Sequence, residues 1–154
     1  SVAKYCLACM YGNGNHFEKD DGKAAELFLD AAESGEVNSQ YALACFYFEG
    51  RGIPKDDGKA AMWFQAASEQ GHPAATAFYG MLLITGTAVE ADAEAGLAMI
   101  KKVADAGYPE GQFYMGRLYS EGKYVKKNIP YAKKYLRMAA KQGDPDAKIL
   151  LDSL

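Results

Sequence analysis

Few side chains in this 154-residue sequence are spaced for chemistry, and those that are lack companions. Cys6 and Cys9 form a Cys-x-x-Cys, a spacing that serves metal ligation or thiol redox exchange. A tetrahedral zinc site needs four N, S or O ligands, and only Cys45 and His16 are at hand to complete it. Ser-x-x-Lys, in which a lysine assists an acylating serine, occurs at Ser1–Lys4 and Ser120–Lys123. Neither copy has a Ser-Asp-Asn or Lys-Thr-Gly companion. His16 and His72 are the only histidines, and neither has an evident nucleophile beside it. The tandem pairs Asp20–Asp21 and Asp56–Asp57 could hold calcium, but Gly and Lys follow each at once instead of an alternating ligand loop. These residues predict no enzyme, no metal and no cofactor.

The elements that carry them repeat. Of sixteen glycines, eight fall into two ladders with a step of 36 residues: Gly14, Gly50, Gly86, Gly122, and Gly35, Gly71, Gly107, Gly143. Asp20, Asp56, Asp92 and Asn128 keep the same step. Asp and Asn cap helix N-termini because the side-chain oxygen accepts from an orphan N–H of the first turn. Glycine past a helix end takes the left-handed conformation at little cost. Each repeat therefore reads as helix A, the first glycine, a short loop, an Asp or Asn cap, helix B and the second glycine. Pro73, Pro109 and Pro145 then fall in the first turn of the next helix A. Small residues align where helices must approach closely: Ala8, Ala44, Gly80, Gly116, and Ala24, Ala60, Gly96, Ala132.

An isolated pair of helices of about 12 residues cannot bury its apolar faces, whereas stacked pairs share a continuous core. The expected fold is all-α: an α/α superhelix of four 36-residue repeats in one domain, residues 1–154. The repeats fall at about 3–38, 39–74, 75–110 and 111–146, and a partial or capping helix follows over 145–154. Both ends fall at repeat junctions, which suits a segment of a longer array.

The run from Gly50 to Gly71, GRGIPKDDGKAAMWFQAASEQG, resembles the Sel1-like repeat, a relative of the tetratricopeptide repeat. Tyr41, Leu43, Ala44, Tyr47, Gly50, Gly52, Ile53, Asp56, Lys59 and Ala60 follow its pattern, and the fourth copy matches from Met115 to Gly143. The first copy departs at His16, and the third at Leu83 and Ala95. The resemblance covers about residues 3 to 154 and implies a right-handed superhelix that serves as a protein-interaction scaffold, with no shared active site. Cysteine-rich relatives labelled penicillin-binding or β-lactamase-like make a weak hydrolase the alternative from another class. Their paired cysteines, one pair per repeat, are missing here. A purely architectural segment is the third reading.

A solenoid binds partners through the helix face that packing leaves over. On helix A this gives Asn38, Ala42, Cys45, Glu49, then Ala74, Phe78, Met81, Thr85, then Glu110, Tyr114, Arg117, Glu121. Phe78, Met81, Tyr114 and Arg117, with Cys45 and Glu49, are the expected partner-binding residues for a protein or peptide ligand. Aromatics, Met and Arg are enriched at interaction sites. The competing reading makes the same side chains part of a further packing layer.

Seventeen Lys and Arg against twenty Asp and Glu give a net charge of −3, with no global basicity to suggest nucleic acid. The charge is uneven: residues 1–110 carry 8 basic and 16 acidic side chains, and residues 111–154 carry 9 and 4. Lys123, Lys126, Lys127, Lys133, Lys134, Arg137, Lys141 and Lys148 make the fourth repeat basic. Such a run is a solvated helix face, a site of end-to-end self-association or a surface for an acidic partner. No apolar stretch reaches the roughly 18 residues of a membrane span. No signal peptide is visible, and three cysteines without a framework lean toward the cytoplasm. A removed leader would leave the periplasm or the exterior open.

Overall fold

A computed structural model of the chain describes residues 2–14 and 18–154. Ser1 and His16, and with them the first Ser-x-x-Lys, lie outside the described residues. Among those described, the elements are α1 (Val2–Asn13), α2 (Asp21–Glu33), α3 (Val37–Glu49), α4 (Asp57–Glu69), α5 (Pro73–Thr85), α6 (Ala93–Asp105), α7 (Pro109–Glu121), α8 (Ile129–Lys141) and α9 (Pro145–Asp152). No strand occurs among them.

Each helix starts and stops where the ladders say. Asp20, Asp56 and Asp92 accept from the backbone N–H of Lys23, Lys59 and Ala95, each at 2.9 Å, and Asn128 accepts from that of Tyr131 at 3.0 Å. Pro73, Pro109 and Pro145 open α5, α7 and α9. All eight ladder glycines have positive φ, between 68° and 93°. A second cap series at Glu36, His72 and Asp144 was not anticipated as a series. Glu36 accepts from the N–H groups of Asn38 and Ser39, His72 Nδ1 from that of Ala75, and Asp144 from that of Ala147. Tyr108, the fourth member, makes no side-chain cap bond.

The chain divides into two compact units, Ser1–Ala75 and Thr76–Leu154. In the first, α1 packs on α2, α2 on α3 and α3 on α4. Its core holds Ala8, Ala24, Ala25, Phe28, Ala32, Leu43 and Phe46, with the Phe28 and Phe46 rings edge to face at 5.3 Å. The loop after α3 clasps the start of α2: Arg51 donates to Asp21 at 2.7 Å and lies over the Phe46 ring. Gly52 approaches so closely that a Cβ there would come within 2.3 Å of the Asp21 carbonyl.

In the second unit, α6 packs on α7, α7 on α8 and α8 on α9. Met81, Ile84, Ile100, Ala104, Met115, Leu118 and Tyr135 form its main core, and Leu136, Ala139 and Ala147 form a smaller one beneath α9. The small residues sit at closest approach: a Cβ on Gly96 would lie 2.4 Å from the Gly80 carbonyl oxygen. In each unit a buried glutamine ties helix ends together. Gln40 donates to the Ala32 carbonyl at the end of α2 and accepts from Gln70 at the end of α4. Gln112 accepts from Gln142, which also donates to the Gly107 carbonyl.

Candidate partner-binding surface

The helix A positions divide between the two units. In the second, α5 places Phe78 and α7 places Tyr114 half-buried, with ring centroids 6.4 Å apart and planes at 90°. The edge of one ring meets the face of the other, an arrangement favoured by the aromatic quadrupole. Phe113 continues the cluster, 5.3 Å from Tyr114. One turn after Tyr114, Arg117 is half-buried and donates through Nε to Glu121 at 2.7 Å.

Met81 differs from the expectation of an exposed contact residue. It is 9% exposed and belongs to the core with Ile84, Ile100 and Met115. A helix A packs both on its own helix B and on a neighbouring hairpin, so the leftover face is narrower than a two-sided wheel suggests. Of the surface residues, Tyr114 packs against that core.

Sequence reasoning missed a groove of about 420 Å³ beside Arg117 and Glu121, lined also by Phe113, Asp146, Ile149 and Leu150. The one sequence signal for it is the apolar run at Ile149–Leu151. Ile149 is 69% exposed, whereas Leu150 and Leu151 pack against the smaller core.

In the first unit, Cys45 and Glu49 lie on α3 in the slots that Met81 and Thr85 occupy on α5. Glu49 is exposed and Cys45 half-buried. Burial pushes the Cys45 thiol up to about 11. The thiolate is the form that attacks electrophiles and binds metals, so Cys45 is set up for packing. Cys6 is exposed, Cys9 is half-buried, and all three cysteines are free thiols. Among the described residues no group of three or more His, Cys, Asp and Glu is placed to hold a metal ion. Ser120, of the second Ser-x-x-Lys, is buried and donates its hydroxyl to the Arg117 carbonyl at 2.8 Å. The His72 ring stacks on Tyr41 with centroids 4.5 Å apart while it caps α5. No helix among the described residues is long and apolar enough to cross a membrane.

Comparison with known proteins agrees with this construction. The Sel1 repeat family model matches residues 1–36, 37–72, 73–108 and 109–144. A search of curated proteins gave no match. Among solved structures, a Sel1 repeat protein from Oxalobacter formigenes is 30% identical over 97% of this chain, with a TM-score of 0.81. A protective antigen of uropathogenic Escherichia coli strains, displaying an SLR fold, is 31% identical over 95% of it, with a TM-score of 0.78. The chain spans 61% of the first and 31% of the second. Cysteine-rich protein B of Helicobacter pylori shares the fold at 23% identity and a TM-score of 0.58, over 86% of this chain and 96% of that one. Sel1 repeats are generally non-catalytic scaffolds for protein–protein interaction. With four consecutive matches and a cap at the start of each helix B, the chain belongs to the Sel1 repeat family and has its all-α repeat superhelix fold.

Proposed function

We propose that the chain is a non-catalytic scaffold that binds a protein or peptide segment on its helix A surface. The reading centres on Phe78, Tyr114 and Arg117, with Met81 in the core against which Tyr114 packs. One observation carries it: the perpendicular Phe78–Tyr114 pair is half-buried next to Arg117 and the groove beyond. Rigid aromatics beside an arginine are the residue types that dominate binding energy at protein interfaces. Cys45 and Glu49 form a lesser patch of the same kind on α3.

The test is affinity capture from the source lysate with wild type, the Phe78→Ala/Tyr114→Ala double variant and Arg117→Glu. A protein retained by wild type and lost from both variants, with helicity unchanged by circular dichroism, supports the site. Equal retention by all three overturns it. So does a collapse of helicity in the double variant together with normal binding by Arg117→Glu, because the aromatics would then be packing residues.

A further inference from the structure

We infer that α8 carries a docking face for α2 of a second copy of this chain. From Gly122 to Gly143 the sequence holds seven cations, Lys123, Lys126, Lys127, Lys133, Lys134, Arg137 and Lys141, and no acidic residue. Among the described residues, no ion pair uses any of them. Lys134, Arg137, Met138 and Lys141 are all exposed and share one face of α8, by their spacing of three and four residues. Met138 is 39% exposed in their midst.

The corresponding slots of α2, one hundred and eight residues earlier, hold Glu26, Leu29, Asp30 and Glu33. The three carboxylates are exposed and Leu29 is half-buried. Lys4 lies against Asp30, which leaves Glu26 and Glu33 as the uncompensated anions of that face. The carboxylates step four and then three residues along α2, and the cations step four and then three residues backward along α8. An antiparallel pairing therefore sets Glu26 opposite Lys141, Asp30 opposite Arg137 and Glu33 opposite Lys134. The same register sets Leu29 opposite Met138. Lys23, a cation earlier on α2, then falls beyond the last residue of α8 and meets no like charge there. α4 and α6 offer no such match: their corresponding slots hold Met62, Gln65, Ala66, Glu69, and Ala98, Lys101, Lys102, Asp105.

The contact joins unlike faces, α2 of one copy to α8 of another, so every copy carries both halves of it. Exposed ion pairs around one apolar contact give a weak, salt-screened interface.

Sedimentation velocity over a concentration series tests it. At about 0.02 M salt the mass should rise with concentration above that of the monomer, and at about 0.5 M salt the association should weaken at least about tenfold. Reversing α8 (Lys134→Glu/Arg137→Glu/Lys141→Glu) should abolish association, as should reversing α2 (Glu26→Lys/Asp30→Lys/Glu33→Lys). Mixing the two reversed variants should restore it, and one chain carrying both reversals should associate alone. A monomer under all conditions overturns the inference. So does association that survives reversal of α8, or a mixture that stays monomeric.

Discussion

The side-chain amide of Gln70 donates to the side-chain oxygen Oε1 of Gln40 at 2.7 Å, and Gln142 repeats the bond onto Oε1 of Gln112 at 2.9 Å. Both acceptors are buried, at 6% and 2% exposure; Gln40 also donates to the Ala32 carbonyl at the end of α2, whereas in the second unit Gln142 makes the further bond, to the Gly107 carbonyl. A buried amide with satisfied partners fixes where one hairpin sits on the next, which apolar contact alone leaves free to slide. Gln112→Ala removes the acceptor and opens a cavity, at a cost of about 1–3 kcal/mol. Gln142→Ala, on the exposed side of the same bond, should cost about 1 kcal/mol or less. Urea unfolding followed by circular dichroism ranks the two.

Acid should weaken the clasp between Arg51 and Asp21. The hydrogen bond from Arg51 is the main cause that holds the Asp21 carboxyl below its ordinary range, against the opposing effect of burial. A carboxyl depressed in the folded state stabilises fully above its unfolded pKa, about 3.9, and loses that contribution as pH falls through the folded value. Urea midpoints measured from neutral pH downward should therefore fall less steeply for Asp21→Asn than for wild type. The variant should start from lower stability at neutral pH.

The thiols should react unequally. Cys6 is exposed, whereas burial raises Cys45 to about 11, so only about one Cys45 in a thousand is ionised at pH 8. With a thiol-specific chromogenic disulfide, Cys6→Ser should delete the fast phase. Cys45→Ser should leave the fast phase intact and remove a phase seen only after unfolding.

Ala88 is the one non-glycine among the described residues with positive φ, 59°. It stands in the slot that Gly52 fills one repeat earlier with φ 65°. Left-handed backbone costs a residue with a Cβ about 1–2 kcal/mol, so Ala88→Gly should stabilise the chain by about 1 kcal/mol. Gly96→Ala should do the reverse. Its Cβ would press on the Gly80 carbonyl oxygen, a backbone atom that cannot swing aside, and a loss of about 3 kcal/mol or more is expected. Thermal melts of the two variants should move in opposite directions.

What was legible in the sequence is what one side chain does alone. A cap at Asp56 or a left-handed turn at Gly71 needs only its neighbours in the chain, so spacing revealed both. The aligned small residues were equally readable, since Gly80 and Gly96 leave room for nothing else. Residues whose roles depend on distant segments were not. Gln40 and Gln112 look like solvent-facing helix residues until the ends of other helices arrive on them. Met81 looks outward on a helical wheel until the core closes over it. The groove beside Arg117 depends on where α9 comes to rest, which no local pattern encodes.

The caps between successive repeats differ more than their regular spacing suggests. Glu36, His72, Tyr108 and Asp144 stand one repeat apart, and each follows a left-handed glycine. Burial pushes the Glu36 carboxyl up, yet its bonds from Ser39 and Asn38 outweigh that and hold it low. His72 accepts through a ring nitrogen that loses its lone pair when the imidazole is protonated, while Tyr108 makes no cap bond to lose. Joints that match in backbone shape thus differ in chemistry: a carboxylate accepts at Glu36 and Asp144, an imidazole nitrogen accepts at His72, and at Tyr108 no side chain caps the helix. Regularity of form here coexists with three different ways of closing a helix end.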